Sequence, residues 1–304
     1  MEEILRIFPI HLQSLINKHI ALKWTNLQEI RLRVNAPVEL NFSKRVDWLE
    51  SHIFTLDDRN YVLSQLSEHS LYRLETEMQE GFITIAGGHR VGLAGKVVSI
   101  NGEIKGLQQI TSFNIRVAQQ SLNIAQPLLP YLTINNNYVH TLFIGPPKSG
   151  KTTLLRDVCR LISDGTSKYQ HKKVAIIDER SEIAAAKDGV PQFNVGKRTD
   201  VMDACPKAIG MMMMIRSMSP DVMIVDEIGK QEDVQALLDV FHAGIALMCT
   251  AHASSIEEVQ QRLSLRPLFK EAIFQRLVVL SFCEVNGFTY EVYNSEAQLL
   301  VKKR

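Results

Sequence analysis

Residues Gly145-Pro-Pro-Lys-Ser-Gly-Lys-Thr152 satisfy the pattern G-x-x-x-x-G-K-[ST], between an apolar run, Val139–Ile144, and a helical pattern that continues from Lys151 to about Ser163. A buried strand must enter such a loop and a helix must leave it, so that successive backbone N–H groups converge on an anion at the positive helix N-terminus. Gly145 and Gly150 open backbone conformations closed to other residues. Read this way, the cradle runs through Gly145, Pro146, Pro147, Lys148, Ser149, Gly150, Lys151, Thr152 and Thr153. Lys151 is expected to reach the β- and γ-phosphates of a nucleotide, and the Thr152 hydroxyl to bind Mg²⁺, which makes ATP and Mg²⁺ the expected ligands. The alternative is a Gly/Pro turn that matches the pattern by chance; the strand before it and the helix after it favour the phosphate reading.

The rest of the chain is consistent with that demand. Beyond residue 138, apolar strands alternate with helical segments: Val139–Ile144, Val174–Asp178, Val222–Asp226, Ile245–Thr250 and Leu277–Phe282. Strands apolar along their whole length are buried on both faces, as in a parallel α/β sheet. The first part reads differently. Helical spacing over residues 2–22 is interrupted by Pro9; Glu29–Val34 and Pro37–Phe42 alternate with period two; residues 55–80 fit one or two helices; Gly81–Ile85 has strand chemistry. Asn101-Gly102 suits the type I′ turn of a hairpin between His89–Ile100 and Glu103–Val117. Residues 121–137, with Pro127, Pro130 and Asn135-Asn-Asn137, read as a connector. The expected organisation is an N-terminal α+β domain with its linker over residues 1–130 and a RecA-like P-loop ATPase domain, α/β in class, over residues 131–304.

Composition narrows the classes further. With 304 residues, 45% apolar and 22% charged, the chain has room for about two globular domains. Lys and Arg total 34 against 33 Asp and Glu, a formal charge of +1, so no global positive field draws the protein to nucleic acid or acidic lipid. Its apolar runs fall far short of the ~20 residues of a membrane-spanning helix, and the Met-Glu-Glu start lacks a basic n-region, so a cytoplasmic location without direct membrane insertion is expected. The four cysteines stand far apart, without a CxxC pair or clustered histidines, which indicates neither a zinc knuckle nor a disulfide framework. Met211–Met214 reads as part of a buried core helix through Ser217.

Three strand ends carry candidate chemistry. Val222–Val225 leads into Asp226-Glu227; Asp226 is expected to orient Mg²⁺ or its water and Glu227 to act as general base towards the attacking water. Asp178-Glu-Arg-Ser-Glu182 ends a second strand, where its acids either face the same cleft or form an ion-paired surface turn. His252 ends a third, placed either to sense the γ-phosphate or to serve the structure.

Taken together, Gly145–Thr152, Ile177-Asp-Glu-Arg-Ser-Glu182, Gly196-Lys-Arg-Thr-Asp200, Arg216-Ser-Met-Ser-Pro-Asp-Val222, Asp226-Glu-Ile-Gly229 and Thr250-Ala-His252 resemble the stage III sporulation protein AA family, over most of the chain. That family belongs with the ATPases of type II and type IV secretion and of type IV pili. The resemblance implies a RecA-like motor domain, an N-terminal domain and a homo-hexameric ring. It implies an ATPase recruited to membrane proteins of a sporulation secretion or channel complex, powering a link from mother cell to forespore. It places Asp178–Glu182 as an acidic box, Asp226-Glu227 as the Walker B acids and His252 as a histidine box, with Glu182 the alternative base to Glu227. Where the secretion ATPases commonly have Gly before the Walker B glutamate, this chain has Asp226. Arginines of the N-terminal domain clamp phosphates in those relatives, and Arg90 and Arg116 are candidates for that role.

Two other readings stay open on the sequence alone. A nucleic-acid motor of the same fold requires a basic, aromatic-bearing channel, which the near-zero charge and two Trp do not favour. A scaffold that binds nucleotide without turnover would keep the cradle and dispense with the base.

Overall fold

A computed structural model of the chain describes residues 2–67, 81–100, 103–283 and 287–303. The chain divides into two compact units, Met1–Gln119 and Gln120–Arg304.

In the first unit, helices α1 (Glu2–Leu5) and α2 (Ile10–Ile20) are separated at Pro9, which caps α2. Strands β1 (Leu27–Arg33), β2 (Pro37–Phe42) and β3 (Arg45–Ile53) follow, then α3 (Leu56–Leu66), β4 (Phe82–Ile85), β5 (His89–Ile100) and β6 (Glu103–Arg116). The strands form one antiparallel sheet ordered β3-β2-β1-β6-β5-β4. Alternate residues of β1 and β2, such as Ile30, Leu32, Val38 and Leu40, are fully buried, and they share one core with Phe8, Leu12, Ile16 and Ile20 of the N-terminal helices. Period two in the strands and the i, i+4 spacing in α2 aim both sets at the same interior. The hairpin strands β5 and β6 pair as expected, while the Asn101-Gly102 turn and the second half of the 55–80 helical reading lie outside the described residues.

The second unit starts with a two-strand ladder, β7 (Thr133–Ile134) and β8 (Asn137–Tyr138). It continues through β9 (Thr141–Gly145), α4 (Lys151–Asp164), β10 (Val174–Asp178), β11 (Thr199–Asp203), α5 (Lys207–Ser217), β12 (Val222–Val225), α6 (Gln231–His242) and β13 (Ala246–His252). Helices α7 (Ile256–Gln261) and α8 (Arg266–Lys270) lead to β14 (Arg276–Cys283), β15 (Gly287–Asn294) and β16 (Leu299–Lys303). The sheet order is β11-β10-β12-β13-β9-β14-β15-β16, parallel from β11 to β14 and antiparallel beyond. Successive residues face opposite cores. Phe143, Ile176, Ile224 and Met248 pack with α4, and Leu142, Ile144, Ile177 and Val225 pack with α5 and α6.

Three details differ from the sequence reading. Residues 120–130 belong to the second unit: the Asp157 carboxylate on α4 accepts the Asn123 and Ala125 amides at 3.1 and 2.9 Å, and Ala125, Leu128 and Leu129 are buried in the α4 core. The unit boundary therefore falls ahead of residue 130. Helix α5 buries only one face. Met211 and Met214 are inside, Gly210 lets the helix approach Ile177, and Met213 is 49% exposed. Strand β11 sits at a sheet edge with every residue half-buried, so its Asp-flanked sequence carried no apolar run to reveal it.

Candidate active site

Parallel pairing aligns the strand ends. Residue 252 pairs with 145, 249 with 225, and 225 with 177, so Gly145, Asp178, Asp226, Glu227 and His252 collect at one edge of the sheet, where ligands bind in open α/β folds. A cleft of about 470 Å³ there is lined by Lys148, Lys151, Thr152, Glu182, Glu227 and His252, among others including Pro147, Gly150, Thr153 and Asp226. Its volume suits a nucleotide-sized ligand.

The loop is built as a cradle. Gly150 caps α4 with φ 85°, a left-handed conformation in which glycine carries no steric penalty. At Gly145 a Cβ would lie 2.5 Å from Ser149 Oγ and 3.0 Å from the Leu280 carbonyl oxygen, so the turn closes only without a side chain. The Ser149 hydroxyl is itself buried with no hydrogen-bond partner among the described residues, an orphan polar atom within the loop. These features fit phosphate oxygens as the ligand.

Lys151 is 4% exposed, and its ammonium donates to the Gly145 and Pro146 carbonyls at 2.7 and 2.8 Å. Burial pushes it below its ordinary value, and the nearby Asp226 and Glu227 carboxylates oppose that shift. Its third contact is His252 Nδ1, at 3.1 Å. An ammonium only donates, so Nδ1 accepts and the imidazole proton resides on Nε2, which donates to Glu227 Oε1. The other Glu227 oxygen takes the Arg180 guanidinium at 2.8 Å. Lys151, His252, Glu227 and Arg180 therefore form one continuous polar chain across the cleft.

The metal candidates are paired as well. Thr152 Oγ1 donates to Asp226 Oδ2 at 3.0 Å, bringing together a hydroxyl and a carboxylate, the hard oxygen donors that Mg²⁺ prefers. The remaining Asp226 oxygen accepts from the Thr250 hydroxyl. Thr250 Oγ1 in turn accepts the Glu227 amide at 2.8 Å. That amide belongs to a residue held at φ 49°, a left-handed conformation costly for a side chain of this size. Thr250 thus ties the Asp226 carboxylate to the Glu227 backbone, a contact that no local pattern announces beyond a hydroxyl two residues before His252.

The acidic segment after β10 divides its roles. Asp178 is 1% exposed and accepts the amides of Glu182, Ile183 and Ala184 at 2.8, 3.0 and 2.9 Å. Burial raises it to about 6, against the opposing pull of those amides. Arg156 on α4 holds the same segment from the other side, donating to the Ile183 and Glu182 carbonyls while its guanidinium lies 3.9 Å from the Phe193 ring centroid. Burial lowers Arg156 to about 10. Glu179 pairs with Lys207 and, at 4.0 Å, Lys230. Of these acids, Glu182 lines the cleft beside Glu227, on a backbone anchored by Asp178 and Arg156.

Arg90 and Arg116 lie in the first unit and are opposite each other in the β5–β6 register. The Arg90 guanidinium stands 4.6 Å from the Phe82 ring centroid, and Arg116 Nε is 3.8 Å from Glu29. Glu29 also takes Arg31 at 2.8 Å.

This fold and loop define a RecA-like P-loop protein of the architecture found in secretion and pilus ATPases. The ATPase DotB of Legionella pneumophila superimposes with a TM-score of 0.65 at 13% identity, covering 95% of this chain and 81% of that one. The pilus retraction motor PilT, solved with bound ADP, gives 0.61 at 16% identity over 92% and 82%. At the level of sequence, the family model of sporulation stage III protein AA matches residues 1–300. Stage III sporulation protein AA of Bacillus subtilis (strain 168) is 48% identical over 300 residues, spanning 99% of this chain and 97% of that protein. The chain belongs to the stage III sporulation protein AA family.

Proposed function

We propose that this protein hydrolyses Mg-ATP at the cleft and uses the cycle as a motor for a membrane complex built during endospore formation. The observation that carries the reading is the continuous chain Lys151–His252–Glu227 beside the paired Thr152 and Asp226, all at the mouth of a phosphate cradle. The Thr152 hydroxyl and Asp226 would hold Mg²⁺, which would supply charge neutralisation of the phosphate oxygens. The loop amides and Lys151 orient the β- and γ-phosphates. Glu227 draws a proton from the water that attacks the γ-phosphorus, as the bond to the leaving ADP oxygen breaks. His252 holds the base through Nε2 and is itself held by Lys151 through Nδ1, so a change at the phosphates registered by Lys151 reaches the base directly.

In this proposal Arg90 and Arg116 contact nucleotide phosphates, six copies form a ring, and membrane proteins of the sporulation complex receive the motion. The family membership and the DotB and PilT likeness support that setting. Lys151→Ala is expected to abolish nucleotide binding, and Glu227→Gln to retain ATP while phosphate release stops. A Glu227→Gln protein that turns over ATP at the normal rate transfers the base role to Glu182. A scaffold without turnover would show binding by the unaltered protein and no phosphate release from it. Light scattering with and without ATP tests the ring.

A further inference from the structure

Histidines far apart in sequence come together in the first unit. His11 on α2, His52 near the end of β3 and Asp58 in the first turn of α3 place their ligand atoms within 4.8 Å of one another. His11 Nε2 lies 3.0 Å from Asp58 Oδ1 and His52 Nε2 lies 2.8 Å from Oδ2, with the ring centroids 5.1 Å apart. From this geometry we infer that His11, His52 and Asp58 form a site for a divalent metal of the zinc class, separate from the nucleotide cleft and its Thr152–Asp226 pair.

Several observations converge on it. Tetrahedral zinc with bonds of ~2.0–2.1 Å separates its ligand atoms by roughly 3.4 Å, inside the range already spanned here. Two imidazoles and one carboxylate leave a fourth position for water, and His11 is half-exposed, which supplies an entry path. The carboxylate is preorganised. Asp58 is 4% exposed, and its Oδ2 accepts the Thr55 amide and hydroxyl, both at 2.9 Å, in a reciprocal helix cap. Such outer contacts fix the orientation of a ligating carboxylate. The cap is complete without His11: Oδ2 closes it and binds His52, leaving Oδ1 to the second imidazole. A bound ion would replace two N–H donors directed at one carboxylate and would join α2, β3 and α3.

The test uses the full-length protein stripped with chelator. Co²⁺ is expected to bind one ion at this site with the visible ligand-field bands of a low-coordinate centre, and Zn²⁺ to bleach them. His11→Ala and His52→Ala are each expected to weaken binding about tenfold or more, and the double variant to lose the bands. All three variants should keep nucleotide affinity and far-ultraviolet circular dichroism, which separates a lost site from a lost fold. Zn²⁺ should raise the unfolding temperature of the unaltered protein and not of the double variant. Equal Co²⁺ spectra from the unaltered protein and the double variant, or no saturable binding by the unaltered protein, would overturn the assignment.

Discussion

Thr250→Val removes one hydroxyl and keeps the side chain's shape, at a position with no solvent exposure. The hydroxyl donates to the Asp226 carboxylate and accepts the Glu227 amide at 2.8 Å. A bond to a charged group contributes ~1.5–3 kcal/mol, and the amide, which retains Asp226 Oδ1 at 3.0 Å, loses about 0.5–1 more. The second unit should therefore lose about 2–4 kcal/mol of stability, read as a lower urea midpoint with an unchanged slope. Turnover should suffer separately. Glu227 holds its positive φ because its amide is tied down on both sides; with Thr250 silent, relaxation of the backbone swings the carboxylate away from the cleft. A displacement of an ångström at a reacting group costs on the order of a hundredfold in rate. Steady-state phosphate release should fall by about that factor. Affinity for a fluorescent ATP analogue should stay within about threefold, because Lys151 and the loop amides are untouched. Thr250→Ser keeps the hydroxyl and should restore most of the rate. A Thr250→Val protein with normal turnover and midpoint would refute the view that this hydroxyl positions the base.

Other consequences can be measured alongside. Gly145→Ala forces a Cβ to 2.5 Å from Ser149 Oγ and 3.0 Å from a backbone carbonyl; overpacking of this kind costs ~1–3 kcal/mol, so nucleotide affinity should drop roughly 5- to 150-fold in an equilibrium titration. Arg156→Lys loses the forked grip on the Glu182 and Ile183 carbonyls and the stack on Phe193, and amide exchange across 182–184 should accelerate while α4 stays protected. Burial lowers His89 from its ordinary 6.5 to about 4, and its Nδ1 accepts the Ala118 amide at 2.9 Å, which only a neutral ring can do. The unfolded chain binds that proton near 6.5 and the folded chain near 4, so the stabilisation is complete above 6.5 and lost as pH falls through 4. The loss amounts to about 3 kcal/mol by linkage, and urea curves of the unaltered protein should show it while His89→Asn flattens that part of the profile.

How much of this was readable in advance depends on how local each signal is. The cradle, the strands around it and the terminal acids lie within short segments whose pattern is set by backbone geometry, and a loop of Gly-x-x-x-x-Gly-Lys-Thr admits few neighbours. Full burial of a parallel strand writes itself as an unbroken apolar run, which is why β9, β10, β12, β13 and β14 stood out and the half-buried β11 did not. The docking of the connector onto α4 leaves no such mark. Ala125, Leu128 and Leu129 have no periodicity of their own, and only the Asp157 carboxylate, more than 25 residues onward, draws them onto α4.

Side-chain partnerships between distant segments belong to the tertiary structure. Sequence placed Asp178 and Glu182 in one acidic run and left their roles open; burial and three amides assign Asp178 to holding the segment, while Glu182 lines the cleft. The tautomer of His252 follows from Lys151, 101 residues away, and the setting of Glu227 from Thr250, 23 residues away. His11 and His52 form no cluster until β3 and α2 fold against one core. Local chemistry along the chain was enough to specify an α/β unit with a P-loop between strand and helix, because each element's pattern is dictated by its own backbone and burial. Which acid orients, which is buried and which histidines share a carboxylate required the sheet register and the packing of helices, since those contacts are made in space and leave no periodic mark on the chain.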